Sequence, residues 1–129
     1  MKMIAPIEVT DAILTASNVA ENDHAVWSPT TTYALGARVI VLATHSVYES
    51  TVASNLDNDP TAEGTTKWVR VGSTNRWRAW DRSIGQSVTN SGSITYSLSL
   101  PGICNAVCFV GLSAGSVRVR VLDGDGVQI

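Results

Sequence analysis

The stretch WSPTTTYALGARVIVLATHSVYESTVASNLDNDPTAEGTTKWVRVG, Trp27 to Gly72, decides how the chain is read. It holds two of the four tryptophans and two of the three tyrosines, spaced as in one miniature β domain. Trp27 opens it and Trp68 closes it. Between them Tyr33-Ala-Leu-Gly36 leads into the apolar run Val39 to Leu42, and Tyr48 opens the next strand. About fifty residues lie near the lower limit for a self-sufficient core, so each large ring carries an unusual share of it. An aromatic side chain buries roughly 150–250 Å². Trp27, Tyr33, Tyr48 and Trp68 are therefore expected to be the core of this unit.

Local signals set its strands. Pro29 and the run Thr30 to Thr32 make a turn unsuited to helix. Gly36 suits a corner with positive φ. Val39 to Leu42 reads as a short buried strand, Thr44-His45 as a hairpin turn and Val47 to Ala53 as the returning strand. Asn55 to Gly64 is a polar loop around Pro60, and Lys67 to Val71 is the last strand.

Outward from this module, the chain divides into three parts. Residues 1–23 read as an extended docking arm, with Pro6 disfavouring helix before it and Thr10 opening a short helical turn over Asp11 to Ser17. Ile4, Ile7, Ile13 and Leu14 are the apolar contacts such an arm offers a partner. Residues 24–73 are the small β domain. Residues 74–129 read as the first part of a β-sandwich. In that part Trp77 to Asp81 and Ser93 to Leu100 are candidate strands, Ile103 to Leu112 is a nearly continuous apolar strand, and Ser116 to Leu122 alternates valine with arginine. Asp123 to Gly126 is a hairpin turn, and Val127 onward starts a strand that should pair back. The fold expected is mainly β throughout. Ending inside a hairpin, the sequence is expected to continue in a longer polypeptide or to take strands from a partner.

With 129 residues and 16% charged side chains, the chain has low charge and abundant Ser, Thr and Val, which suits β surfaces. Its net charge of −2 gives no general attraction to nucleic acid or anionic membrane. Acids predominate up to Ser73; Arg76, Arg78, Arg82, Arg118 and Arg120 reverse the sign beyond it. No apolar run reaches the ~20 residues of a membrane span. Cys104 and Cys108 would lie about 13 Å apart along one strand, too far for a disulfide, and read as small core residues.

Chemistry has little material. His24 and His45 lack metal-pair spacing, and His45 reads as a solvated turn residue. Asp57, Asp59 and Glu63 read as caps of their own loop rather than a calcium site or a glycosidase pair. Asp123 to Gly126 matches only the opening of a calcium loop. Gly111-Leu-Ser113-Ala-Gly115 matches the nucleophile-elbow pattern, but a strand follows it and no histidine lies beyond His45. No enzyme, no metal and no cofactor are expected. The unusual segment is Asn75 to Arg82. Read as a strand, it places Arg76, Arg78, Trp80 and Arg82 on one face, with Trp77 opposite as a core anchor and Arg76 and Arg78 paired to acids. Arginine and tryptophan are interface residues more often than single-strand binders in so acidic a chain.

Trp27, Tyr33-x-x-Gly36-x-x-Val39, Tyr48, Asn55, Pro60 and Trp68, in that order, resemble the small chitin-binding modules appended to polysaccharide-degrading enzymes. That family stacks sugar on adjacent aromatics a few residues after the equivalent of Tyr48. Here those places hold Val52 and Ala53, so the resemblance implies the fold rather than the activity. A second resemblance spans almost the whole chain: MIAPIEVTDAILTASNVAEND (Met3 to Asp23), the module, Gly72 to Trp77, SGSITYSLSL and GLSAGSVRVRV together look like tailed-bacteriophage and prophage tail proteins. It implies a non-enzymatic virion component of the tail tip, baseplate or fibre. Such a protein is expected in symmetric copies, joined to other tail proteins, and contributing to host adsorption. The alternative it leaves is an adhesion module for cell-surface glycan.

Overall fold

The computed structural model describes residues 6–83, 85–104, 106–123 and 125–128. The chain is mainly β. Its strands are β1 (Leu14–Ser17), β2 (Arg38–Val41), β3 (Ser46–Ser50), β4 (Trp68–Ser73) and β5 (Tyr96–Leu98). β2, β3 and β4 form one antiparallel sheet in that order, and β1 pairs antiparallel with β5 in a second. Among the described residues the one helical element is a 3-10 turn, Leu42–Thr44.

That turn joins β2 to β3. Thr44 Oγ1 donates to the Val41 carbonyl at 3.3 Å, and His45 N donates to the Leu42 carbonyl at 3.2 Å. His45 adopts the left-handed conformation, φ 48°, which reverses the chain within one residue. The register then sets Val39 opposite Tyr48 and Ser50 opposite Trp68. Successive side chains alternate faces, so Val39, Tyr48 and Trp68 meet as a buried cluster. Trp27, Tyr33 and Val41 pack around them. The Tyr33 ring meets the Trp68 indole edge-on, centroids 5.2 Å apart. Gly36 makes the corner before β2 at φ 78°.

Asn55 ties the polar loop to this core. Its backbone pairs with Tyr33 in both directions at 2.8 and 2.9 Å. Its buried amide donates to Ser50 Oγ and the Lys67 carbonyl and accepts from the Asn58 amide. Trp68 Nε1 reaches the Asn58 carbonyl at 2.8 Å. The loop therefore folds back over the ring that closes the module, and Pro60 is buried within it.

Several local elements differ from expectation. The helix over Asp11 to Ser17 is a single turn, in which the Ile13 and Leu14 amides donate to the Thr10 carbonyl. Leu14 onward is β1, opposite Tyr96 to Leu98. Two helical turns are marginal alone, and the ladder with β5 satisfies the same backbone groups better. Trp77 to Asp81 is likewise no strand. Trp77 and Arg78 amides donate to the Thr74 carbonyl, and Trp80 and Asp81 amides to that of Trp77. This coil of turns breaks the alternation that would align Arg76, Arg78, Trp80 and Arg82.

Ile103 to Leu112 and Ser116 to Leu122 form no strand among the described residues, and every described side chain from Ile103 to Gln128 is exposed. An apolar strand is buried only by partners, and none of the described residues pairs with it. Cys104 and Cys108 are accordingly exposed free thiols, not core residues. The Asp123 turn does close: Asp123 N donates to the Val127 carbonyl at 2.9 Å, and Leu122 bridges Gln128.

Candidate functional site

The densest polar chemistry lies where the N-terminal segment crosses the hairpin tip and the turns after β4. β4 ends at Ser73, and Thr74, wholly buried, donates its amide to the His45 carbonyl at 2.8 Å. This fixes Trp77 under the hairpin tip. The His45 imidazole stacks on the Trp77 indole, centroids 3.9 Å apart and planes 20° from parallel. Its Nδ1 lies 2.9 Å from Glu21 Oε1 and its Nε2 3.0 Å from Asp11 Oδ1. His45 is thus half-buried and partnered on three sides, not the solvated turn residue the sequence suggests.

Glu21 and Asp23 complete the seam. The Glu21 side chain, 8% exposed, also accepts from Thr74 Oγ1 at 2.8 Å and has Arg76 Nη1 at 3.8 Å. Asp23, equally buried, accepts the Asn75 amide through both oxygens, at 3.0 and 2.9 Å, and Arg78 Nη2 at 2.8 Å. Arg76 Nε donates to the Val19 carbonyl at 2.7 Å. The arginines at 76 and 78 are therefore paired with acids of residues 21–23. The segment carrying those acids is clasped to its own chain rather than held out from it.

Beside this seam, Tyr96 of β5 donates its hydroxyl to the Arg76 carbonyl at 2.9 Å and meets the Trp80 ring edge-on at 5.1 Å. Burial pushes its phenol up to about 12, with the Arg76 charge pulling weakly the other way. Asp81 Oδ2 accepts from Ser73 Oγ at 2.6 Å, and Oδ1 accepts from the Ser83 amide and hydroxyl. The Ser73 bond holds the Asp81 carboxyl below its usual range against partial burial, with Ser83 and Arg70 assisting.

A depressed folded pKa means the unfolded chain binds more protons between the two values, so stability rises with pH there. The Asp81 contribution is complete above the ordinary value near 3.9 and is lost as pH falls through the lower folded one. Asp81→Asn should flatten the acid limb of the stability curve. Urea midpoints from pH 5 to pH 2 measure this; an unchanged slope would refute it.

The other residues singled out by the sequence are scattered. Trp27 and Tyr33 are half-buried around the module core, and Tyr48 and Trp68 are buried in it. Tyr33 Oη accepts the Ser28 amide at 2.8 Å. The Val52 and Ala53 positions present no ring. Ile4 lies outside the described residues. Ile7 is 42% exposed, Ile13 and Leu14 are half-buried, Trp80 is half-buried and Arg82 is exposed. Asp59 caps its own loop, accepting the Thr61 amide and hydroxyl at 2.8 and 2.7 Å, and those bonds lower its pKa.

Two depressions flank the seam. One of about 120 Å³ is lined by Asp11, Ser17, His45, Arg76 and Trp77 among others; one of about 140 Å³ by His24, Arg38, Arg78 and Gln86 among others. Both fall below the ~300–1,000 Å³ of small-molecule sites. Among the described residues no group of three or more His, Cys, Asp or Glu is placed to hold a metal ion. No helix of the described residues is long and apolar enough to cross a membrane. The sequence alone does not single out Asp11, Glu21, Asp23 and Thr74 as a bonded set. Their one signal there is a pair of acids two residues apart just before the module.

No family model, curated protein or solved structure matches the chain.

Proposed function

We propose that the chain is a non-enzymatic structural component of a phage tail, in the tip, baseplate or fibre region, working in several symmetric copies joined to other tail proteins. One observation carries the structural part of this reading. Ile103 and Val110 are each 92% exposed, and Val107, Phe109 and Leu112 are more than half exposed. A monomeric protein rarely leaves more than a few hundred Å² of contiguous apolar surface uncovered, and larger patches mark contact sites. A segment of this composition is made to be covered. The tail assignment itself rests on the whole-chain resemblance drawn from the sequence.

The alternative is an adhesion module for cell-surface glycan; against it, Tyr48 and Trp68 are buried in the module core, with Trp27 and Tyr33 half-buried around them. Locating the chain by electron microscopy of intact particles tests the proposal. A paired substitution, Ile103→Asp with Val110→Asp, should stop incorporation while leaving the module folded by near-ultraviolet circular dichroism. Normal incorporation of that variant would sink the reading.

A further inference from the structure

Two largely exposed segments of the chain, with Val9 half-buried in the first, carry matching patterns and no ladder partner among the described residues. Ile7-Glu8-Val9 alternates apolar and acidic residues; Val117-Arg118-Val119-Arg120-Val121 alternates apolar and basic ones. Glu8, Arg118 and Arg120 are exposed, as are Ile7 at 42% and the three valines of the basic segment at 48%, 52% and 53%. Among the described residues none of these charges is in an ion pair, and no backbone hydrogen bond or bridge joins the two segments within one chain.

We infer that residues 7–9 of one copy pair as a β-strand with residues 117–121 of a second copy. Residues directly opposite in a ladder share a face. The arm segment therefore lays Ile7 and Val9 against the valines and places Glu8 opposite Arg118 or Arg120 on the other side. The valine-arginine segment does not pair well with itself. Antiparallel, an even register sets arginine against arginine, and an odd one sets arginine against valine on both faces. Parallel in register, like charges stack. The acidic arm is the complement that the same chain supplies, and Pro6, lacking an N–H, ends the ladder before it.

The contact is head-to-tail: the arm of each copy engages the distal segment of the next. Such an interface closes a ring when its rotation allows and otherwise extends a filament. The inference rests on the proposed multi-copy reading and deepens it, but it concerns the contact and not the particle. A chain found in tails whose contact fails this test loses only the pairing.

Sedimentation velocity of the full chain tests it with charge reversal. The native chain should associate with rising concentration. Glu8→Arg alone, and Arg118→Glu with Arg120→Glu alone, should each weaken association about a hundredfold, because like charges now face each other. Mixing the two variants in equal amounts should restore association, since each arm then meets a distal segment of opposite sign. Glu8→Gln serves as a milder arm variant should the reversal disturb folding. A native chain monomeric at every concentration, reversals without effect, or a mixture that stays dissociated would each overturn the pairing. In particular, failure of mixing would mean that the two segments do not meet between copies.

Discussion

Trp68→Ala should unfold the module or cost it about 3–5 kcal/mol, the range for deleting a large buried ring. Three losses add at this position. The indole is 4% exposed and fills the centre of a buried cluster whose other members are Val39 and Tyr48. Its edge-on contact with Tyr33 disappears, worth about 0.5–1.5 kcal/mol beyond area. The Asn58 carbonyl, which accepts Nε1 at 2.8 Å, is left without that donor, and the loop it anchors is released. A small domain has few other apolar groups with which to compensate, and total stabilities run only about 5–15 kcal/mol. Trp68→Phe should cost less, since it keeps most of the ring and loses the indole donor. Urea denaturation followed by tryptophan fluorescence and amide exchange across residues 55–60 separates these. A Trp68→Ala variant with an unchanged midpoint would place the ring outside the core and return the module to sugar stacking as a function.

The role of Trp68 is legible in the sequence because the module is held by local, periodic signals. Trp27, Tyr33, Tyr48 and Trp68 sit at strand-compatible spacings, Gly36 needs a positive φ, and two short strands flank an obvious turn. Alternation then groups Val39, Tyr48 and Trp68 on one face, while Ile40 and Val47 on the opposite face are buried as well. Beyond Ser73 the sequence reveals the class but not the elements. Trp77 to Asp81 has the composition of a strand, yet its place depends on a histidine in the hairpin tip and on two acids in the N-terminal segment. Such contacts have no period. β1 is hidden for the same reason: over Asp11 to Ser17 the spacing of Ala12, Ile13 and Ala16 suits one side of a helix, and only β5, far along the chain, supplies the ladder that makes Leu14 to Ser17 a strand. The composition of the run from Ile103 shows a segment suited to being covered. A strand there requires a partner that the described residues do not provide.

The second large effect is expected at Glu21, whose one mark in the sequence is a second acid two residues on, Asp23. Its Oε1 accepts from Thr74 Oγ1 and lies 2.9 Å from His45 Nδ1, and Thr74 is wholly buried. Glu21→Ala leaves that hydroxyl with no acceptor and the His45 ring with one carboxylate instead of two. Unsatisfied buried donors cost about 1–3 kcal/mol each, more when the lost bond was charge-assisted. The His45 side chain is 22% exposed, so water can serve part of the contact it loses. A loss of about 2–3 kcal/mol is therefore expected, concentrated in the seam rather than in the module core. Amide exchange should speed up at Val19 to Asp23 and at Thr74 to Arg78, with Val39 and Tyr48 unaffected. A double-mutant cycle with His45→Asn, which retains a residue tolerant of the left-handed conformation, should give a coupling of about 1 kcal/mol or more. Additive effects, or exchange that quickens in the β2–β4 sheet instead, would show that the N-terminal segment is not clasped through this carboxylate.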